Sequence, residues 1–139
     1  MTLQEVISRL KFKDDQHKER YENLRACYIG AGDYPEKYPD PYREALAYLI
    51  ASSEDTYNHR HQLYNEEERC IIPEAVKEEW QTGSSLKITR LAFNLFTASI
   101  NWCEDGEEMY CTPDYIFDSS DAPYFVEAVR LRMYSAFDE

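Results

Sequence analysis

Residues 86–103 read LKITRLAFNLFTASINWC, eighteen positions with no glycine or proline. Leu86, Ile88, Leu91, Ala92, Phe93, Leu95, Phe96, Ala98, Ile100 and Trp102 fall on more than one side of a 3.6-residue period. A helix that is apolar nearly all round is one enclosed by others. The stretch predicts a central helix over about 85–103, and Ser84 or Ser85 is placed to cap its start.

The segments around it read as further helices. KDDQHKERYENLR, residues 13–25, is polar almost all round, with Tyr21 and Leu24 as apolar contacts and Asp14 or Asp15 as a cap. A loop rich in Tyr and Pro follows over Ile29–Tyr42, because Gly30 and Gly32 end a helix while Pro35, Pro39 and Pro41 delay the next. Asp40 before Pro41 is a good helix start, and Tyr42, Ala45, Leu46, Leu49 and Ile50 then mark one buried face as far as about Ser52. Ser52 with Asp55 resembles a capping box, so a break there and a continuous helix are both open. Pro73 and Glu74 open a short helix that stops before Gly83. The last helix starts at Ser120 or Asp121, takes Pro123 in its first turn, and presents Phe125, Ala128, Val129 and Met133 to the core. Between the central and last helices lies an acidic connection, read as a short strand pair near 104–117 or one helical turn.

A length of 139 residues suits one core, and 43% apolar residues with 14% aromatics can fill it. Only four glycines and six prolines punctuate the chain, which favours long helices over a many-stranded sandwich. The expected fold is all-α: a compact single-domain bundle of five or six helices over 1–139, with residues 1–10 loosely attached.

Twenty-seven acidic against 15 basic residues give a formal charge of -12. Phosphate backbones repel such a chain, and no basic stripe is present to overcome that, so direct nucleic-acid binding is not expected. No apolar stretch reaches the roughly 20 residues of a membrane span, and the N-terminus has no signal-peptide pattern. Cys27, Cys70, Cys103 and Cys111 read as reduced thiols, and the expected location is the cytoplasm.

Gly-rich phosphate loops, GxSxG and HExxH are all missing, so catalysis is not expected. His59 and His61 lie two apart, and Cys103 with Cys111 are separated by an acidic loop. With His17 they are candidate zinc ligands, Cys70 being a further one, although the spacing matches no known zinc motif. The competing interpretation makes Cys103 a small apolar residue and pairs the histidines with carboxylates. Glu66, Glu67 and Glu68 match no calcium loop and read as solvated charge.

From Glu104 to Asp121 there are seven acids and no Lys or Arg, interleaved with Met109, Tyr110, Tyr115, Ile116 and Phe117. A surface of this kind offers phosphate-like charge and flat apolar anchors to a basic groove. The candidate partner-binding residues are Glu104, Asp105, Glu107, Glu108, Tyr110, Asp114, Tyr115 and Asp118. The partner expected is a basic protein. Basic residues instead gather at Lys11, Lys13, Lys18, Arg20 and Arg25, and again at Arg130 and Arg132, which suggests a dipolar molecule.

FKDDQHKERY (Phe12–Tyr21), WQTGSSLKITRLAFNLF (Trp80–Phe96) and APYFVEAVRLR (Ala122–Arg132) resemble a family of small uncharacterised proteins from low-GC gram-positive bacteria, their phages and integrative elements. The resemblance spans most of the chain from Phe12 onward. It implies a mobile-element context in the cytoplasm of a bacterial host. In size, charge and context the chain is also similar in type to the type II-A anti-CRISPR proteins, some of which block Cas9 and one of which looks like a zinc protein. That likeness implies inhibition by binding, with Cas9 the most concrete target and blocked DNA loading the mechanism. The motif residues His17, Trp80, Gln81, Thr82, Ser84, Thr89 and Arg90 have a plain architectural explanation, with Trp80 as core anchor, Thr82 and Ser84 as turn and cap residues, and Arg90 bonding to a helix end or a carboxylate. The cysteines lie outside the motif. A small zinc protein or enzyme, and a regulatory or structural partner, are the alternative functions.

Overall fold

Asp40 and Pro41 start the helix around which the other long helices gather. The Asp40 carboxylate accepts the Arg43 N–H at 3.0 Å, and Pro41 takes the first helical position where no N–H is needed. The structure, a computed structural model, describes residues 1–30 and 39–137. The Tyr- and Pro-rich loop expected over 29–42 falls largely outside the described residues. In this helix, α3 (Pro41–Ala51), every residue from Glu44 to Ala51 is buried, and Ala45 to Leu49 are 0% exposed. Helices α2 (Asp15–Tyr28), α6 (Gly83–Thr97) and α8 (Ala122–Arg132) all pack against α3. Each fully buried Leu or Ile there contributes roughly 1.5–3 kcal/mol of transfer free energy.

The fold is therefore the expected small helical one, but its most enclosed helix is α3 rather than 85–103. Ala45, Ala47 and Ala51 keep α3 thin enough to be covered on all sides, whereas α6 keeps part of its surface in water. Helix α6 also ends early. Ala98 adopts φ 58°, and its N–H closes the helix on the Asn94 carbonyl at 2.8 Å. Side chains take over beyond that point: Asn94 Nδ2 and Trp102 Nε1 both donate to the Ser99 carbonyl, at 3.1 and 2.9 Å. These bonds outweigh the roughly 1–2 kcal/mol that a left-handed alanine costs. At its start the cap is Thr82, which exchanges hydrogen bonds with Ser85; Ser84 has no part in it.

Three smaller expectations are corrected. Residues 1–10 are anchored, because α1 (Leu3–Ser8) is capped by Thr2 and buries Leu3 and Val6, packing on α8. The strand pair lies elsewhere: β1 (Tyr64–Asn65) pairs antiparallel with β2 (Cys70–Ile71), Tyr64 opposite Ile71. Of the two readings for residues 104–117 the helical one holds: a 3₁₀ turn (Glu108–Cys111) precedes α7 (Pro113–Ile116), since Thr112 caps and Pro113 opens a helix. On α8, Phe125 and Ala128 are buried as expected, but Leu131 takes the place expected of Met133, because the helix stops at Arg132.

The chain breaks after Ser52, and Ser53 caps α4 (Glu54–Asn58), which leads into α5 (Arg60–Leu63). Pro73–Lys77 and Tyr134–Phe137 are 3₁₀ turns. Among the described residues no helix is long and apolar enough to cross a membrane.

Candidate partner-binding face

Segment 104–118 is held to the domain by one apolar plug and three cations. Ile116 is buried, and Phe117 meets Phe125 of α8 edge-on at 5.7 Å. On α6, Lys87 and Arg90 sit three residues apart and so project from one face. Arg90 Nη2 donates to Glu107 Oε2 at 3.0 Å, and its guanidinium lies 5.3 Å from the centre of the Tyr110 ring. Lys87 reaches the Asp118 carbonyl and stands 4.7 Å over the Tyr115 ring. Lys77 pairs with Glu104.

Arg90 is 6% exposed, and its Nη1 has no hydrogen-bond partner among the described residues. Burial disfavours its charge, but Glu107 and the neighbouring Cys111 more than offset that and raise its pKa above the ordinary value.

Outward from these anchors the segment presents two tyrosines and a methionine. Tyr110 and Tyr115 contact each other at 5.1 Å with rings inclined at 60°, and both are more than a third exposed. Met109 beside them is 62% exposed. Asp105, Glu108, Asp114 and Asp118 are exposed, and none forms an ion pair among the described residues. The eight residues expected to bind a partner thus divide. Asp105, Glu108, Tyr110, Asp114, Tyr115 and Asp118 face water, whereas Glu104 and Glu107 hold the segment in place. The apolar residues divide too, Ile116 and Phe117 turning inward.

The family of unknown function designated DUF6075 matches residues 7–139, a span that includes α2, α3, α6, α8 and this entire face. The chain belongs to the DUF6075 family. No curated protein and no solved structure matches it.

In this DUF6075 chain the motif around Trp80 is architectural. Gln81 Nε2 donates to the Ala75 carbonyl and to Thr89 Oγ1, both at 3.1 Å, and its Oε1 accepts from Ser85 at 2.6 Å. It ties the 3₁₀ turn to the start of α6. Trp80 stacks on His59 with ring centres 4.1 Å apart and planes 2° from parallel, and donates to Gln62.

The candidate zinc ligands do not converge; among the described residues no three His, Cys, Asp or Glu side chains are grouped to hold a metal. His17 is fully buried with both ring nitrogens engaged: Nδ1 accepts the Lys13 N–H at 3.1 Å and Nε2 lies 3.1 Å from the Tyr48 carbonyl. Burial pushes its pKa down to about 4, against the opposing effect of its hydrogen bond to the Tyr48 carbonyl. His59 is stacked on Trp80 with Nδ1 on the Asp55 carbonyl, and His61 is exposed, 3.7 Å from Glu66. Only Cys103 and Cys111 come together, with Sγ atoms 3.9 Å apart.

Of the anchoring cations, sequence reasoning passed over Lys77 and Lys87, whereas Arg90, expected to bond a helix end or a carboxylate, bonds that of Glu107. The signal for Lys87 was available: it and Arg90 are the only charges of α6, three apart and without an acid on their own helix to pair with.

Of the basic residues expected to form a positive end, Lys13, Arg20, Arg25 and Arg132 are half-buried and bonded within the fold. Arg20 donates to the Ala51 carbonyl, Arg132 to the Leu95 carbonyl, and Lys13 pairs with Asp121 at 2.6 Å. These bonds stitch helix ends together, while Lys11, Lys18 and Arg130 remain exposed.

Proposed function

We propose that this protein acts by binding: its 104–118 face occupies a basic groove of a nucleic-acid-handling protein and blocks it without catalysis. The observation that supports this most directly is the juxtaposition of four unpaired carboxylates with exposed Met109, Tyr110 and Tyr115 on a segment braced from beneath. Spaced negative charge steers the encounter with a cationic groove, and the flat rings supply desolvated contact once docked. Bracing by Ile116, Arg90 and Lys87 matters because a pre-formed surface loses less conformational entropy on docking. Cas9 is the concrete target, on the strength of the resemblance drawn from the sequence, and occlusion of DNA loading is the mechanism.

The test is a pull-down against Cas9, with and without guide RNA, at low and at raised salt. A complex that weakens as salt rises is expected, because screening shortens the reach of exposed charges to about 8 Å at physiological ionic strength. Replacing Asp105, Glu108, Asp114 and Asp118 together by lysine should abolish it. No complex at low salt removes Cas9 as the target, and a complex unaffected by the four replacements removes this face.

A further inference from the structure

Cys103 and Cys111 are the one pair of candidate ligands that the fold unites, and their surroundings suit electron transfer chemistry better than a metal. Their Sγ atoms are 3.9 Å apart, and both side chains are half-buried, within reach of a small solute. The Arg90 guanidinium lies beside them, and its buried Nη1 has no hydrogen-bond partner among the described residues. A fixed positive charge opposes a second cation but favours a thiolate. Burial, joined by contact with Cys111, pushes the Cys103 thiol up to about 11, so Cys103 keeps its proton.

We propose that Cys103 and Cys111 form a reversible dithiol–disulfide pair oxidised by hydrogen peroxide, with Cys111 attacking and Cys103 resolving. The Cys111 thiolate attacks one peroxide oxygen; an S–O bond forms, the O–O bond breaks, and the departing hydroxide takes up a proton to become water. The sulfur is then a sulfenic acid. The Cys103 sulfur attacks Cys111 Sγ, giving up its proton as the S–O bond breaks, so that a second water leaves and the S–S bond forms. Two thiols lose two electrons and two protons; one peroxide becomes two waters. The sulfur atoms must close by about 2 Å to reach bonding distance, a movement available to a loop segment between α6 and α7. The bond would fasten the turn that carries Glu104, Asp105, Glu107, Glu108 and Tyr110. This chemistry does not depend on any partner, and so stands apart from the binding function proposed above.

Cys27 and Cys70 are exposed thiols on other elements and serve as internal controls. Between Arg90 and Arg130 there is no Lys or Arg, so trypsin releases one peptide that contains Cys103 and Cys111 and neither control. The full chain is treated with hydrogen peroxide, alkylated, digested and weighed. The 91–130 peptide should lose two hydrogens and resist alkylation, dithiothreitol should restore both, and the reaction should be at least an order of magnitude slower in chain unfolded by urea. Cys103→Ser should leave a sulfenic acid at Cys111 that dimedone labels, while Cys111→Ser should label severalfold less at Cys103. Added oxygen on that peptide without hydrogen loss, cross-links to Cys27 or Cys70, or equal rates in folded and unfolded chain would each overturn the proposal. The mass and rate measurements on the unaltered chain decide the matter even where a variant fails to fold.

Discussion

The α2–α3 interface and the 104–118 face are built from the same side chains, Glu, Arg and Tyr, put to opposite ends. In the interface Glu44 is 0% exposed and accepts from Tyr21 Oη and from Arg25 Nε at 2.9 and 3.1 Å. Next to it the Tyr48 ring meets His17 at 4.7 Å and Tyr21 edge-on at 5.9 Å, with His17 bonded at both nitrogens. On the face, only Glu104 and Glu107 are tied down, and four carboxylates stand in water beside two exposed tyrosines. A buried charge must have its lone pairs satisfied or it destabilises the fold. A solvated charge imposes no such demand, so its energy remains available for a partner. The contrast predicts that substitutions in the interface act on stability, and substitutions of the outer acids act on binding alone.

The strongest way to break the contrast is Glu44→Ala. It removes the acceptor that the Arg25 guanidinium and the Tyr21 hydroxyl share, and should cost roughly 3 kcal/mol, the low end for a broken buried pair because Arg25 retains some water contact. Urea unfolding at neutral pH measures it. A loss under about 1 kcal/mol would mean that the network is not the stabilising element it looks to be.

His17 sharpens the same side of the comparison through pH. Its folded pKa of about 4 lies below the ordinary 6.5, so as pH falls the unfolded chain takes up the proton first. Stability held at neutral pH is therefore lost between about pH 6.5 and pH 4, and at pH 5 the loss from this group is about 2 kcal/mol. Denaturation profiles at pH 7 and pH 5 should show that drop in the natural chain, and His17→Gln should remove most of it. An unchanged drop in the variant would assign it to other groups.

Thr82→Ala tests the platform from which Lys87 and Arg90 project. Losing the side-chain cap should cost about 1 kcal/mol, with the helix otherwise kept. Far-UV circular dichroism and urea titration distinguish a frayed start from a lost helix; no change in midpoint would mean that Gln81 and Ser85 hold the turn without Thr82.

Local signals carried the elements, and long-range pairings decided their use. Asp14 caps α2 and Asp40–Pro41 starts α3 as their side-chain chemistry dictates. Phe125 and Ala128 follow the helical period into the core. The enclosure of α3 was not legible, because its short run of alanines and leucines is less conspicuous than the eighteen residues of 86–103, and only the packing of three other helices reveals it. The left-handed turn at Ala98 was likewise hidden, since it depends on Asn94 and Trp102 converging on one carbonyl. Within the face, the composition of 104–121 was plain from the chain, but which acids are anchors was not: Glu107 finds Arg90 seventeen residues back and Glu104 finds Lys77 still further away. The same limit applies to His17 and His59, which Tyr48 and Trp80 hold in place.

The smallest expected effect on stability is the most telling for the comparison. Asp105→Asn, Glu108→Gln, Asp114→Asn and Asp118→Asn together should change unfolding free energy by no more than about 0.5 kcal/mol, as for surface positions without packing or pairing roles. Removing four like charges from an acidic chain relieves repulsion, so the sign of any change should be stabilising. Glu107→Gln alone, by contrast, exchanges a charged acceptor for a neutral one beside a mostly buried guanidinium and should cost about 1 kcal/mol. One substitution inside the face would then outweigh four on its rim. If the quadruple variant proved the less stable of the two, the outer acids would have partners in the fold, and the division between bracing and presenting residues would have to be redrawn before any binding experiment on this face was interpreted.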